Sequence, residues 1–210
     1  MIGIIDYGMG NLRSVQKSVE RLGVTCSVLT RPEEILAADR LILPGVGAFE
    51  DAMTALKKNL LVEPILEKIA AGTPFLGICL GMQLLFEHSF ENGQFAGLGI
   101  LPGDVVRFQF TEIQRQNAGE KLSIPHMGWN QISLAQPSHP FWHGVSPEAF
   151  YYFVHSYHVV PKEAQTIAAV THYGYDFCAA VCRENVMATQ FHPEKSQAAG
   201  SLLLKNFVRL

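Results

Sequence analysis

Apolar runs alternate with amphipathic segments over the first half of the chain. The run over 1–6 predicts a strand, and apolar side chains then recur at helical spacing over 12–22, up to a glycine that suits a helix end. Strands that alternate with helices favour an α/β fold, in which helices cover both faces of a parallel sheet. Further strands are expected over 25–29, 40–43 and 74–78, and further helices over 60–71 and 82–86.

The hydropathy pattern changes in the second half, where strand-rich segments separated by turns replace the helices. Strands are predicted over 150–160 and 167–171, and a hairpin over 178–190. We expect these antiparallel strands to extend the parallel sheet. An amphipathic helix is predicted over 197–209. Because no repeat, low-complexity tract or linker divides the chain, residues 1–210 are expected to form one domain.

The composition is that of a globular protein. With 210 residues and 48% hydrophobic content the chain can bury a substantial core, and a net charge of −3 gives no sign of nucleic-acid binding. No apolar stretch approaches the ~18 residues that a membrane helix needs, and the chain starts on a strand rather than a signal peptide. We therefore expect a cytoplasmic protein. The cysteines are too sparse for a disulfide framework and lack zinc spacing, so reduced thiols are expected at Cys26, Cys79, Cys178 and Cys182.

The most informative motif is Gly-Ile-Cys-Leu-Gly over 77–81, which places a thiol at the centre of a turn between a predicted strand and a predicted helix. This is the arrangement of a nucleophile elbow, with Cys79 as the nucleophile. The positive end of a helix macrodipole favours a thiolate there, and the flanking glycines permit the tight turn. A free cysteine is also commonly a small core residue, so the motif alone leaves both interpretations open.

A candidate base lies in Gln-Phe-His-Pro-Glu over 190–194. The imidazole of His192 can accept a thiol proton, and a carboxylate on its other nitrogen would fix the tautomer. In an extended segment residues i and i+2 point the same way, so Glu194 can reach His192. A surface turn is the alternative interpretation, but the combination with the Cys79 motif favours a catalytic triad.

Two glycine motifs do not fit nucleotide binding. Gly8 and Gly10 follow the first strand, but Arg13 stands where the dinucleotide fingerprint needs its third glycine. The segment Gly-Val-Gly over 45–47 lacks the Lys-Ser/Thr end of a phosphate loop. It is either a plain strand-to-helix turn or flexible backbone whose amides can face an oxyanion.

The histidines do not predict a metal site. His155 and His158 are three apart in a predicted strand, so we expect them to point to opposite faces, with no ligand-type residue at a suitable spacing. Together with His126 they are expected to be hydrogen-bonded structural or interface residues. The sequence therefore predicts neither a metal nor a cofactor.

Separated motifs together resemble the class I, or triad-type, glutamine amidotransferases. Besides the motifs around Cys79 and His192, the segments over 4–12, 43–49, 125–130 and 153–157 are similar to the glutaminase subunits of imidazole glycerol phosphate synthases, in the same order along the chain. The resemblance runs from the first residue to the C-terminus. It implies a three-layer, flavodoxin-like fold whose largely parallel central sheet is extended by antiparallel strands.

The resemblance also implies a reaction and roles for individual residues. The expected reaction is hydrolysis of the side-chain amide of glutamine through a cysteine thioester. The ammonia is expected to pass to a (β/α)₈-barrel cyclase subunit, which makes imidazole glycerol phosphate and aminoimidazole carboxamide ribotide in histidine biosynthesis. The implied residues are Cys79, His192 and Glu194 for catalysis, Gly45, Val46, Gly47 and Leu80 for the oxyanion, Gln83 and Glu91 for the substrate, and Asn11, Trp129, His155 and Tyr157 for the partner surface.

Other functions stay open at this point. A paralogous glutaminase that supplies ammonia to an aminosugar pathway would carry nearly the same motifs. A cysteine hydrolase or peptidase could use the same elbow. A non-catalytic scaffold is a weaker hypothesis, because it gives no reason for retaining all three triad residues. Release of glutamate from glutamine, rather than cleavage of a peptide, would separate the enzyme hypotheses.

Overall fold

Strands and helices alternate along the chain in the computed structural model, which describes residues 1–117 and 122–210. Short 3₁₀ turns at Pro140–Trp142, Ala164–Thr166 and Pro193–Lys195 connect several of them. In chain order the elements are β1 (Ile2–Ile5), α1 (Leu12–Glu20), β2 (Cys26–Leu29), α2 (Pro32–Leu36), β3 (Arg40–Gly45), α3 (Phe49–Lys58), α4 (Val62–Ala70), β4 (Phe75–Cys79), α5 (Leu80–Gln83), β5 (Phe86–Ser89), β6 (Phe95–Ala96), β7 (Leu101–Arg107), α6 (Glu112–Asn117), β8 (His126–Gln131), β9 (Ser133–Leu134), β10 (Phe150–His155), β11 (Tyr157–Pro161), β12 (Ile167–His172), β13 (Asp176–Arg183), β14 (Val186–Thr189) and α7 (Gln197–Arg209).

The central sheet has the strand order β2-β1-β3-β4-β14-β13-β12-β9. The strands from β2 to β14 are parallel, whereas β13, β12 and β9 are antiparallel to their neighbours. Every residue of β1, β4 and β14 is buried, as expected for strands covered on both faces. The predicted parallel sheet with an antiparallel extension, including the hairpin of β13 and β14, is confirmed.

Two smaller sheets lie beside the central one. β10 pairs with β8, and β11, β7, β5 and β6 form a second sheet. The single strand predicted over 150–160 is therefore wrong, because the chain divides at Ser156 and its two halves enter different sheets. Ser156 itself accepts a hydrogen bond from the backbone N–H of Phe108.

The helix predicted over 82–86 is also wrong at its C-terminal end. α5 stops at Gln83, and β5 begins at Phe86. The backbone carbonyls of Leu84 and Leu85 accept hydrogen bonds from the N–H groups of Leu98, Ile100 and Leu101. These distant donors occupy the carbonyls that a longer helix would use, so tertiary pairing overrides the local helical pattern.

The core is divided between the two faces of the central sheet. Alternate residues of β1 take part in different clusters, with Ile4 in one and Ile5 in the other. Helices α1 and α7 pack on the first face, while α2, α3 and α4 pack on the second. The sequence pattern leaves α2 and α3 unassigned, although Phe49, Ala52, Met53 and Leu56 of α3 are buried at helical spacing. No helix in the described part of the chain is both long and apolar enough to span a membrane.

Gly200 sets how closely α7 approaches the turn at Pro193–Lys195. A Cβ at this position would overlap the carbonyl oxygen of Pro193 and lie 2.8 Å from Cβ of Ser196. We expect Gly200→Ala to lower the free energy of unfolding by about 1–3 kcal/mol, because helix and turn must separate to admit a methyl group. Ser201→Ala, on the exposed side of the same helix, should change it by less than about 0.5 kcal/mol. Urea unfolding of the three proteins tests this, and equal stability of Gly200→Ala and wild type would contradict the packing argument.

Candidate active site

Cys79 is the last residue of β4, and α5 begins at the next residue. Its backbone has φ 54° and ψ −108°, a conformation that costs a residue with a Cβ on the order of 1–3 kcal/mol. Gly77 and Gly81, on either side of the cysteine, permit this turn because they have no Cβ and the backbone packs closely against them. A Cβ on Gly81 would overlap the carbonyl oxygen of Leu43, and a Cβ on Gly77 would lie 2.8 Å from the carbonyl oxygen of Gly81. The turn therefore depends on small residues on both sides of the cysteine.

His192 and Glu194 form a buried pair. Nδ1 of His192 lies 2.8 Å from Oε1 of Glu194, and each side chain is only 2% exposed. His192 is extended, with φ −100° and ψ 96°, and the 3₁₀ turn that follows brings Glu194 back against its ring. The other polar atoms, Nε2 of His192 and Oε2 of Glu194, are buried without a hydrogen-bond partner among the described residues.

The charge of His192 depends on its neighbours. Burial alone would lower the pKa of this imidazole, but the Cys79 sulfur and the Glu194 carboxylate outweigh burial and raise the pKa well above its usual value. Nε2 makes no well-formed hydrogen bond, yet the ring lies close enough to the sulfur for this charge interaction. The macrodipole expected to favour a thiolate is a small contribution, because α5 has four residues. The raised pKa of His192 favours a protonated imidazole beside the sulfur.

A cavity of about 360 Å³ opens above the sulfur. Its size is at the lower end of small-molecule sites. Cys79 and His192 line it, and so do seven of the other residues singled out from the sequence: Val46, Gly47, Leu80, Gln83, Glu91, His155 and Tyr157. Most residues predicted from separate motifs thus surround one small space.

The segment Gly-Val-Gly over 45–47 lies directly beside the cysteine turn. Gly45 ends β3 and is paired with Cys79 across the parallel ladder. A Cβ on Gly45 would lie 2.9 Å from Cβ of Leu80, so the two backbones approach closely. Val46 is 42% exposed and Gly47 has φ +98°, a value that favours glycine. Val46 and Gly47 line the cavity, and the glycine leaves this backbone free to reorient.

The two predicted substrate residues already have protein partners. Oε2 of Glu91 accepts a hydrogen bond of 2.8 Å from the backbone N–H of Phe49, at the start of α3. Nε2 of Gln83 donates to the carbonyl oxygen of Tyr157 at 3.0 Å and to Oε1 of Gln190 at 3.1 Å. Both side chains border the cavity, but these bonds hold them in place.

The four candidates for a partner surface differ in exposure. Asn11, which precedes α1, and Tyr157 are half-buried, and Trp129 of β8 is 46% exposed. His155 is buried and lines the cavity. A ring of Tyr152 packs edge-on against Trp129 at 5.9 Å between ring centroids.

Two neighbours of the sulfur were missed in the sequence. Gln190 is fully buried, and its Nε2 lies 3.6 Å from Sγ of Cys79. Its position two residues before His192 was a usable signal, since i and i+2 share a face of an extended segment. The hydroxyl of Tyr7 is buried without a hydrogen-bond partner among the described residues, and burial together with Cys79 raises its pKa. Its nearness to Cys79 depends on the pairing of β1 with β3, which the sequence does not reveal.

Three buried histidines form a neutral cluster next to the cavity. Nδ1 of His155 donates to the carbonyl oxygen of Tyr157 at 2.8 Å, and its Nε2 accepts from Nδ1 of His126 at 3.1 Å. Burial lowers the pKa of His126 to about 4 and holds those of His155 and His158 below the usual value. The expectation that His155 and His158 point to opposite faces is wrong, because both rings pack on Phe108 across the break at Ser156. Over residues 1–117 and 122–210, no three His, Cys, Asp or Glu side chains are grouped as metal ligands.

Comparison with known sequences places the chain close to one group of proteins. The family described as glutamine amidotransferase class-I matches residues 3–210. The chain is 56% identical to imidazole glycerol phosphate synthase subunit HisH of Syntrophotalea carbinolica over 207 residues, which cover 99% of this chain and 98% of that protein. It is 53% identical to the subunit of the same name from Geobacter metallireducens, over 98% of this chain and 96% of that protein.

Solved structures share the fold at low sequence identity. The structure of PurLQS from Thermotoga maritima has a TM-score of 0.75 at 17% identity, covering 99% of this chain and 97% of that one. A crystal structure of a glutamine amidotransferase has a TM-score of 0.70 at 17% identity, with the same coverage of 99% and 97%. At these identities the likeness concerns the fold alone, and it confirms the predicted fold class.

The neutral histidines make stability depend on pH. Burial lowers the pKa of His126 in the folded state to about 4, whereas the unfolded state has a pKa near 6.5. Neutral His126 therefore contributes fully to the free energy of unfolding above pH 6.5, and this contribution is lost as the pH falls towards 4, because the unfolded state takes up the proton first. Lowering the pH from 7 to 4.5 should reduce the free energy of unfolding of both proteins. The reduction in His126→Gln should be smaller than that in wild type by about 2 kcal/mol. His143→Gln, at an exposed site, should follow wild type. Urea unfolding at the two pH values decides this, and parallel losses in wild type and His126→Gln would contradict a buried neutral histidine.

Proposed function

Since this chain belongs to the class I glutamine amidotransferases, and within them to the HisH family of imidazole glycerol phosphate synthase subunits, we propose that Cys79, His192 and Glu194 hydrolyse the side-chain amide of glutamine. One observation carries the proposal. The strained turn at Cys79 and the buried His192–Glu194 pair meet at one cavity, and the sulfur raises the pKa of the imidazole.

The reaction proceeds in two halves. The Cys79 thiolate attacks the carboxamide carbon and forms a C–S bond, and the carbonyl oxygen becomes an oxyanion. His192 then gives its proton to the amide nitrogen, the C–N bond breaks, and ammonia leaves a glutamyl thioester. Water attacks the thioester while His192 accepts its proton, so glutamate is released and the thiolate is restored. Glu194 keeps the ring in the required tautomer.

The groups around the sulfur have distinct tasks in this proposal. Backbone N–H groups of Gly45, Val46, Gly47 and Leu80 are the candidate donors to the oxyanion. The carboxylate of Glu91 attracts the α-ammonium group of glutamine, and Gln83, at the cavity wall, supports the amino-acid end. The cavity of about 360 Å³ has room for one such ligand.

The ammonia is passed to a second subunit. Proteins of the HisH group are subunits of a synthase by name, and the partner we propose is a (β/α)₈-barrel cyclase that makes imidazole glycerol phosphate and aminoimidazole carboxamide ribotide. Met127 and Trp129 lie two apart on β8 and are 64% and 46% exposed. This apolar face, with Asn11 and Tyr157, is the candidate contact surface. A one-domain cytoplasmic subunit fits the proposal, and the identity of over 50% to HisH subunits favours it over an aminosugar paralogue or an unrelated hydrolase.

Variants of the triad should differ in severity. With the partner present, Cys79→Ala should abolish release of glutamate, because it removes the nucleophile, while synthesis from added ammonia continues. His192→Ala should approach the same defect. Glu194→Ala should lose roughly 10²-fold less activity than His192→Ala, since orientation contributes less than proton transfer. Steady-state glutaminase assays on the three variants measure this order.

The surface pair of His172 and Asp176 is a matched control, because Nδ1 of His172 lies 2.7 Å from Oδ1 of Asp176 and both are exposed. His172→Ala should leave the rate unchanged. Release of glutamate by Cys79→Ala or His192→Ala at the wild-type rate would refute the assignment of the triad.

The chain alone should be a poor glutaminase that becomes active with its partner. Uncoupled hydrolysis would lose ammonia, so we propose that the segment over 45–47 presents an N–H group to the oxyanion only in the active complex. One oxyanion donor is worth on the order of 10²–10³ in rate, enough to keep the isolated subunit nearly inactive. Glutamate release is measured for the chain alone, with the partner, and with the partner and its ligand. Equal rates under all three conditions would contradict the gate.

A glycine variant tests the same segment. Gly47 has φ +98°, and a Cβ there would lie 2.6 Å from Cε of Met9. Gly47→Ala should therefore restrict reorientation of the peptide and reduce the stimulation by the partner. Gly72→Ala is the matched control, since Gly72 has φ +82° and no atom within 4 Å of an added Cβ. If the partner stimulated the two variants equally, the segment over 45–47 would have no part in the activation.

A further inference from the structure

Two buried side-chain amides, those of Gln83 and Gln190, are hydrogen-bonded in series and lead to the sulfur of Cys79. Nε2 of Gln190 lies 3.6 Å from Sγ of Cys79, and its Oε1 accepts from Nε2 of Gln83 at 3.1 Å. Nε2 of Gln83 also donates to the carbonyl oxygen of Tyr157 at 3.0 Å. Gln190 is 0% and Gln83 5% exposed, so neither amide is free to exchange its partners with water.

The direction of each hydrogen bond in this series follows from the group at its other end, the carbonyl oxygen of Tyr157. The carbonyl oxygen of Tyr157 can only accept, so the nitrogen of the Gln83 amide must face it. The same nitrogen meets the Gln190 amide, which must therefore turn its oxygen towards Gln83. The Gln190 nitrogen is then left facing Sγ of Cys79 and donates an N–H to the sulfur. A flipped Gln190 amide would place two acceptors, its oxygen and the sulfur, against each other.

The backbone holds Gln190 at this place. β14 runs parallel to β4, with Thr189 opposite Ile78, so the residues that follow, Gln190 and Cys79, leave the sheet side by side. The N–H of Gln190 is bound to the carbonyl oxygen of Ala179 on the neighbouring strand. Gln190 and His192 are two apart and approach the sulfur from the same segment.

We infer that Gln190 donates a hydrogen bond to the reacting sulfur, in addition to the charge interaction with His192, and that Gln83 is a positioning residue that acts through Gln190. The inference rests on the proposed thiolate chemistry. A thiolate in a buried cavity has lost most of its water and gains from each remaining donor. His192 gives its proton away when ammonia leaves, whereas an amide N–H stays in place through both halves of the reaction. Gln190 therefore stabilises the sulfur whenever it carries charge, including when the thioester breaks.

The effect is measured without turnover of glutamine as the rate at which iodoacetamide alkylates Cys79 in the full-length chain at different pH values. Peptide mapping identifies the alkylated cysteine. In Gln190→Met the pH midpoint for alkylation of Cys79 should rise by about one unit, as expected for one lost hydrogen bond to a charged group. At pH values below both midpoints the rate should fall about tenfold. The ionisable groups facing the sulfur or its cavity are unchanged in the variant; these are His192, Tyr7, Glu91, His155 and Tyr157. An unchanged midpoint would overturn the inference.

Gln136→Met is the matched control. Nε2 of Gln136 donates to the backbone carbonyls of Gln165, Ile167 and Cys182, and no described contact joins it to the site. This variant loses a comparable set of amide bonds and should keep the wild-type midpoint. A midpoint raised as far in Gln136→Met as in Gln190→Met would mean that general loosening, not a lost donor, is responsible, and would also overturn the inference.

Two further variants keep the test decisive if Gln190→Met does not fold. Gln190→Leu removes the donor without adding a charge, and should raise the midpoint by about as much as Gln190→Met. Gln83→Leu removes the donor that orients Gln190 without adding a charge, so the Gln190 amide loses its fixed orientation and the midpoint should rise without any contact of residue 83 with Sγ. Wild-type midpoints in both would overturn the inference. Equal labelling of Cys79, Cys26, Cys178 and Cys182 in wild type would instead count against the proposed function itself.

Discussion

The register of β4 between β3 and β14 is the constraint on which the site depends. Gly45 is paired with Cys79 on one side, and Thr189 with Ile78 on the other. Parallel strands end at a common edge, so the oxyanion segment, the sulfur and the segment with Gln190 and His192 emerge together. A slip of one residue would turn the side chains of a strand to the opposite face of the sheet. Pairing of buried backbone, rather than any contact between the side chains of the candidate triad, therefore brings the three motifs to one place.

Close backbone packing then fixes the two halves of the site from opposite sides. Gly81 lets the cysteine turn rest on the carbonyl of Leu43 in β3, and Gly200 lets α7 rest on the carbonyl of Pro193. The strained conformation of Cys79 persists because the neighbouring strands leave the turn no relaxed alternative. Ser196 ties the second half together, since its Oγ donates to the carbonyl oxygen of His192 at 2.6 Å and accepts from the N–H of Tyr152 at 3.0 Å.

Short motifs in the sequence predicted which residues lie together at the candidate site, but not the course of the strands around it. The cysteine turn and the His192–Glu194 pair are each contained within five residues, so their geometry follows from neighbours in the chain. Gln190 stood in the same motif, but its contact with Cys79 arises from strand pairing that periodicity does not reveal. The strand break at Ser156 and the early end of α5 were missed for the same reason, because pairing partners far along the sequence decide both. Of the partner-surface candidates, His155 is the one whose burial the sequence could not show.

The buried histidines show why burial alone does not set the charge of the site. His192 and His155 are 2% and 6% exposed, yet their pKa values move in opposite directions. His155 meets only a carbonyl oxygen and a neutral imidazole, so the cost of removing its charge from water prevails. His192 meets a carboxylate and the sulfur, and their charges prevail over the same cost. These opposite shifts favour a single cation, His192, beside the sulfur. A second cation at His155, which lines the same cavity, would repel the ammonium group of a bound amino acid and disfavour protonation of His192. The neutral cluster thus fits the role proposed for His192 as the proton donor to the leaving group.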